Sequence, residues 1–534
     1  METSGSPTPS AGGKSSAWWL PVILLVALAM RLCYLGWAQS HALGYQTDSI
    51  EAYEVAASYE AGQDRASYIG QPNCNAHSKL PGPLWTLFCV AGLKLAHSPH
   101  GVVVLIIITN LIAIALTWWL TREVADVQAA NLGALLWAVS LWAVQYSSII
   151  WNPSPMPLFG AVIFVALFRC LRKPKSRAIF LIPFLILIGV QFHMSCLSLI
   201  LPLIVFCRVS RLRLHWGWFA AGVVAAALCY APYVLGDMRH DWANTRGILT
   251  GGEGKYSGDA FKVFTSPFSF LINFWNPGWT YAPGDYQTLA HRAFGGVAGM
   301  YTINLISVGF AVFLVLGVIQ ATRAVTKGRT VALREMLARQ PGLLSVVFLL
   351  LAYLAFGLIA GKPFHARYCM LVLPLLFTLA GCGAAKCLQT PGLRKIFLPL
   401  LLVTVVADLW FMPVICRFEG DRIANGHVFV PGVVKMDSIY RQLQAHAPGK
   451  IVVLDDAYVT SLPTKQDNHI YLQARILVPY IHARELEAQA YGAAFTQTNV
   501  FELRSASLVD SNDPAVGFYG NGIALVAVPN ATQR

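Results

Sequence analysis

Asp48 and Glu51 stand three residues apart near the start of the polar stretch Tyr45 to Pro83, and Lys79 sits near its end, just before Leu80-Pro81-Gly82-Pro83. Far along the chain, Lys362, His365 and Arg367 gather close together. A well-placed carboxylate takes a proton from a hydroxyl. A lysine and an arginine hold a phosphate, the arginine in two-point fashion. Each position also has a plainer role. Asp48-Ser49-Ile50-Glu51 has the spacing of a helix capping box. Lys79 is placed to snorkel at a membrane surface, and Arg367 to anchor a helix at one.

These residues must be positioned by a membrane bundle. The chain of 534 residues is 56% hydrophobic and 12% charged, with mean hydropathy +0.54. A soluble domain carries about 25% charged residues, and apolar runs of about 20 residues read as transmembrane helices. The net charge of +13 is no nucleic-acid footprint, because the basic residues cluster in short loops between apolar runs. Most of the eleven cysteines lie inside apolar segments, where Cys packs as a small hydrophobe, and only Cys74 and Cys416 are well placed for an outer face. No His/Cys cluster implies a metal; no cofactor is implied, and a divalent metal has no support in the sequence.

Charge parity orders the spans. Residues 1–15 read as a disordered cytoplasmic tail. The basic loops fall on one side only if Pro83 to His97 lies in the outer interface instead of crossing. Spans are then expected at about 17–37, 101–120, 129–149, 156–171, 178–190, 194–208, 216–235, 299–320, 342–361, 367–388 and 393–413. Residues 16–413 form the membrane domain, with outer loops 38–100 and 236–298. The tail 414–534 is expected outside as a small α/β domain, with an amphipathic helix near 433–446 and strands at 450–456 and 522–528. The fold class is an all-α polytopic bundle of about eleven transmembrane helices.

The outer face also collects lesser candidates for a substrate pocket. Asn152 sits in Trp-Asn-Pro-Ser-Pro, and Gln191 and His193 form a polar tip inside 30 apolar residues. Arg239 and His240 follow the 216–235 span. Their plain readings are a helix breaker, helix-end polar groups and a solvated helix exit.

In order along the chain, AspSerIleGluAlaTyrGluValAla (48–56), Lys-x-Pro (79–81), TrpAsnProSerProMetPro (151–157), GlnPheHisMetSer (191–195), the segment 232–246 and HisAlaArgTyr (365–368) resemble the C-type integral-membrane glycosyltransferases. That superfamily includes the protein O-mannosyltransferases and the lipid A aminoarabinose transferase. The resemblance covers about residues 17–390. It implies inverting transfer of a sugar from a polyprenyl-phosphate lipid to a glycan, lipid or protein acceptor at the outer face of a bacterial inner membrane. Asp48 would be the base, with Glu51 beside it. Lys79, Arg367 and His365 would bind the donor phosphate. Two departures stand: many relatives have adjacent Asp-Glu where this chain has Asp48-Ser49, and an acidic residue where it has Asn152. The alternative is a transporter or flippase of a lipid-linked glycan, which would need charges deep within several spans.

Overall fold

The computed structural model describes residues 18–41, 47–62, 68–71, 78–173, 175–250, 275, 291–293, 295–326, 337, 342–359, 366–424, 433–446, 450–454, 480–486, 488–490, 498–505, 515–519 and 523–527. The chain is an all-α polytopic membrane bundle. Among the described residues, four helices are long and apolar enough to cross a bilayer: Pro99–Val124, Asn304–Arg323, Met370–Gln389 and Pro391–Val414. Trp216–Cys229 and Ala231–Arg239, bent by 44°, make a fifth candidate, and shorter apolar helices fill the rest of the bundle.

The helices run in chain order as α1 Trp19–His41, α2 Thr47–Glu60, α3 Leu84–Ala96, α4 Pro99–Val124, α5 Val127–Val139, α6 Leu141–Tyr146, α7 Met156–Arg172, α8 Leu181–Val190, α9 Ile200–Val209, α10 Trp216–Cys229, α11 Ala231–Arg239 and α12 Ala243–Thr250. Then come α13 Val297–Thr326, α14 Leu343–Ile359, the short α15 Ala366–Cys369, α16 Leu373–Gln389, α17 Pro391–Ala424 and α18 Val433–His446. Each expected span coincides with one of these helices or with a broken pair of them.

Local chemistry sets the boundaries. Asp126 accepts the Ala129 N–H at 2.8 Å and caps α5. α7 carries Pro157 in its first turn and Arg169 and Arg172 in its last, each suited to its helix end. His97 closes α3 with φ +47, and Ser98-Pro99 at once starts α4, so the two helices turn back on each other and pack together. α3 has 13 residues, about 20 Å of helix, short for a span.

The stretch expected as one span over 129–149 is two helices broken at Ser140. Its ψ of 113° leaves the helical region, and its hydroxyl oxygen accepts from the Ala143 N–H. Two buried ionisable side chains attend the break. Arg31 of α1, 0% exposed, donates from Nη1 to Ala27 O at 3.0 Å and Ala138 O at 3.4 Å. Asp408 of α17, 6% exposed, accepts from the Leu141 N–H. The Arg31 guanidinium thus lies at the C-terminal end of α5, the end that favours a cation, and the Asp408 carboxyl lies at the start of α6.

The centre of the bundle is α16. Gly381 packs on α5, where a Cβ would fall on the Ala129 carbonyl oxygen, and Gly383 packs on α13, where a Cβ would fall on the Leu314 carbonyl oxygen. Small residues that bring backbones together are how helices associate in a bilayer. Trp137 stacks on Phe377 with centroids 4.9 Å apart, and Thr121 and Thr378 share a buried hydrogen bond of 2.9 Å.

Past the bundle, α18 occupies the expected 433–446. A four-stranded sheet follows, β1 Lys450–Leu454, β2 Thr498–Ser505, β3 Ala515–Tyr519 and β4 Ile523–Ala527, in the order β1-β2-β4-β3. β1 pairs parallel with β2, Lys450 facing Thr498, and the other pairings are antiparallel.

Candidate functional site at one end of the bundle

The turn that carries Lys79 is held from three sides. Gly70 N–H donates to Leu80 O at 3.0 Å, and Leu80 N–H donates to Gln71 O at 2.9 Å. Gln71 is itself fixed, since its Oε1 accepts from the buried Trp85 indole at 3.0 Å. On the second side, Gly82 adopts φ +130, in the region that favours glycine. Its open face is filled by the side chain of Gln191, whose Cγ would lie 2.9 Å from a Cβ. Gln191 is 0% exposed and donates from Nε2 to Cys229 O at 3.3 Å, while its Oε1 finds no hydrogen-bond partner.

The third side comes from the α11–α12 hairpin. Asn244 Oδ1 accepts from the Lys79 N–H at 2.6 Å, and Asn244 Nδ2 donates to Lys79 O at 3.2 Å. The amide therefore pairs with both backbone groups of Lys79, as a neighbouring strand would. Asp237, 1% exposed, organises the hairpin from the end of α11. Its carboxylate accepts from the backbone N–H of Asn244 at 3.0 Å, from the Thr245 N–H at 2.9 Å, from the Thr245 hydroxyl at 2.6 Å and from the Tyr233 hydroxyl at 3.3 Å. The Lys79 side chain is half-buried, and no described group pairs with its ammonium.

Tyr68 ties the first loop to the same hairpin. Its ring stacks on His240 at 5.3 Å, and its hydroxyl lies 3.0 Å from His240 Nδ1. Burial, then the charge of Asp237, pushes the Tyr68 phenol above its ordinary value. Arg239 is exposed on the hairpin.

The tip at 191–193 reaches the other expected cation. α8 ends at Val190, and His193 is extended at φ −154, accepting at Nδ1 from the Ser195 N–H at 3.2 Å. Its ring lies 6.2 Å from that of Tyr368, the residue after Arg367. Tyr353 of α14 donates its hydroxyl to Tyr368 O at 2.7 Å and is held by Ser198 at 3.2 Å. Phe192, between the two polar residues, packs on Trp85 and Phe88 of α3 and on Phe159 of α7.

Gln191 therefore touches the Lys79 turn and His193 touches the Arg367 turn, which brings both turns to one end of the bundle. Asp48 and Glu51 lie on the backbone of α2 and Arg367 on that of α15; the side chains of all three fall outside the described set, and His365 falls outside it entirely. Asn152 is half-buried in the turn before α7, and the neighbouring Ser154 carbonyl accepts from Asn110 Nδ2 at 3.0 Å. Among the described residues, no three His, Cys, Asp or Glu side chains converge as a metal ion would need.

The arrangement of the whole chain matches solved structures. The crystal structure of ArnT from Cupriavidus metallidurans bound to undecaprenyl phosphate superposes with TM-score 0.61 at 14% identity, covering 97% of this chain and 99% of that one. The chain has the fold of ArnT. The apo form of ArnT from that organism gives TM-score 0.60 at 13% identity, covering 96% and 98%. The oligosaccharyltransferase of Archaeoglobus fulgidus in complex with Zn and sulfate is more distant, at TM-score 0.45 and 12% identity, covering 85% of this chain and 57% of that one. No protein-family model matches the chain, and no curated protein matches it by sequence. The expectation of an all-α polytopic membrane bundle is thus borne out, and it is the bundle fold of ArnT.

Sequence reasoning missed Asn244 and Asp237 as a unit, along with Arg31 and Asp408. The clamp joins residues 165 positions apart, and an Asx residue beyond a helix end carries no periodic signal.

Proposed function

We propose that this protein is a membrane glycosyltransferase that moves a sugar from a polyprenyl-phosphate donor to an acceptor hydroxyl at the outer face of a bacterial inner membrane. Asp48 takes the proton of the acceptor hydroxyl. That oxygen bonds to the anomeric carbon from the side opposite the phosphate, so the centre inverts. The bond from the anomeric carbon to the phosphate oxygen breaks, and its electron pair leaves on the lipid phosphate. Lys79 and Arg367, with His365 beside them, hold that phosphate and stabilise the charge it gains. Glu51 lies one helical turn from Asp48 on α2 and assists it. Asn152, Gln191, His193, Arg239 and His240 are the candidates for the rest of the substrate pocket, and Gln191 also supports the Lys79 turn.

The observation that carries this proposal is the bridge made by residues 191–193 between the turns of Lys79 and Arg367. ArnT, the structure matched over its full length, was solved with undecaprenyl phosphate, the class of lipid such a pair would hold. The transporter alternative needs charges within spans, and Arg31 and Asp408 are ionisable residues so placed. Both engage the backbone around the α5–α6 break, which favours a structural role for them and leaves the transfer proposal in place.

The test is Asp48→Asn in the full chain, at matched expression. Transfer from lipid-phosphate sugar should fall by about 10²-fold or more, the usual worth of a general base. Unchanged transfer would remove Asp48 from the mechanism. Mass spectrometry of cell-envelope glycans, with and without the protein, identifies the sugar.

A further inference from the structure

We propose that Asn244 is a positioning residue for Lys79, and that the α11–α12 hairpin thereby sets the affinity for the lipid phosphate. The proposal rests on Lys79 as a phosphate ligand and goes beyond it. A lysine ammonium sits on four methylenes with full rotamer freedom, so its reach is defined only if its backbone is defined. Here both backbone groups of Lys79 are taken by one side chain, through Oδ1 at 2.6 Å and Nδ2 at 3.2 Å. Asn244 cannot swing away freely. Its own N–H is held by Asp237 at 3.0 Å, and its Nδ2 also donates to the Tyr233 hydroxyl at 3.2 Å. Tyr233 in turn donates to Asp237, and its hydroxyl oxygen lies 2.8 Å from that of Thr245. Among the described residues, the hydrogen bonds of Asn244, Asp237, Tyr233 and Thr245 stay within the hairpin except those to the Lys79 backbone. A purely structural tie between loops would have no reason to hold in place a half-buried lysine whose ammonium pairs with no described group.

The experiment measures binding of undecaprenyl phosphate to the purified full chain in detergent, for the unsubstituted protein, Asn244→Ala, Lys79→Ala and the double variant, with Tm recorded for each. Asn244→Ala should raise Kd about tenfold, the loss of one to two net hydrogen bonds. On the Lys79→Ala background it should change Kd by less than about twofold, because its effect runs through Lys79. Asn244→Asp serves where Asn244→Ala does not fold: it keeps the acceptor for the Lys79 N–H but turns an acceptor toward the Lys79 carbonyl, and should weaken binding to a similar degree. The proposal is overturned if Asn244 variants bind as tightly as the unsubstituted chain, or weaken binding equally with and without Lys79. Should Lys79→Ala itself leave Kd unchanged, the phosphate role of Lys79 fails, and the clamp fails with it for that separate reason.

Discussion

The middle of the bundle and its Lys79 end are built by opposite means. Around α16, helices meet backbone to backbone, with Gly381 against Ala129 and Gly383 against Leu314. Around Lys79, loops meet through directed hydrogen bonds from Asn244, Asp237 and Gln71. Close apolar contact works in a medium with no water, where packing substitutes for the hydrophobic effect. Polar clamps suit a surface where one charged head must stay free while its backbone is fixed. The frame and the candidate site should therefore fail differently when broken.

The largest effect is expected in the frame. Gly383→Leu places a branched side chain where even a Cβ meets the Leu314 carbonyl oxygen, and no rotamer relieves a clash with backbone. A loss of about 3 kcal/mol or more is expected, read as little or no monodisperse protein by fluorescence-detected size exclusion. A well-folded Gly383→Leu with normal Tm would show that α13 and α16 are not packed as closely as described. Lys79→Ala should do the reverse. Among the described residues its ammonium has no partner to lose, so Tm should hold within about 1 °C. Undecaprenyl phosphate Kd should rise about 10- to 100-fold, the worth of a hydrogen bond to a charged group. A fall in Tm without a change in Kd would make Lys79 part of the frame.

That contrast also explains what was legible in the sequence. Hydrophobic runs name the helices, because burial in lipid is a local property of the run. The helix at 433–446 and strands near 450 and 523 followed from periodicity for the same reason. Gln191-Phe192-His193 was visible as a tip because polar residues interrupt 30 apolar ones. The break at Ser140 was not visible, since the Arg31 and Asp408 that attend it come from α1 and α17, and long-range capping leaves no mark in the local pattern. The clamp was hidden likewise: Asn244 belongs to the motif at 232–246, but its partner Lys79 lies in another loop. Asp48 and Arg367 remain legible only by residue type and motif order.

Gly82 belongs to both regimes and so sharpens the comparison. Like the α16 glycines it has no room for a Cβ, but what fills its space is the Gln191 side chain, not backbone. Its φ of +130 also costs any other residue about 1–3 kcal/mol. Gly82→Ala should therefore reduce Tm modestly, by a few degrees, and weaken undecaprenyl phosphate binding more than stability, because the Lys79 turn shifts. Replacing Gln191 by Ala in the same chain frees the space but not the dihedral. The pair should recover only part of the loss, and full recovery would show that crowding, not backbone strain, was the cause.

The smallest effect is expected at Glu54, where the C-terminal region meets α2. Tyr480 packs on Tyr53 with centroids 5.8 Å apart, and His482 Nδ1 lies 3.0 Å from Glu54 Oε1. The ring contact is buried, whereas the His–Glu pair is partly exposed, with side chains 46% and 30% accessible. Exposed pairs contribute about 0–1 kcal/mol and are screened by salt. Glu54→Gln should thus leave Tm nearly unchanged, while Tyr480→Ala, which empties a buried site, should cost about 2–4 kcal/mol of docking. Limited proteolysis of the two variants reads the difference directly. Faster release of the C-terminal region from Tyr480→Ala than from Glu54→Gln places the contact with the packed frame. The opposite order would place it with the polar clamps, and would give α2, which carries Asp48, a charge-dependent tie to the tail.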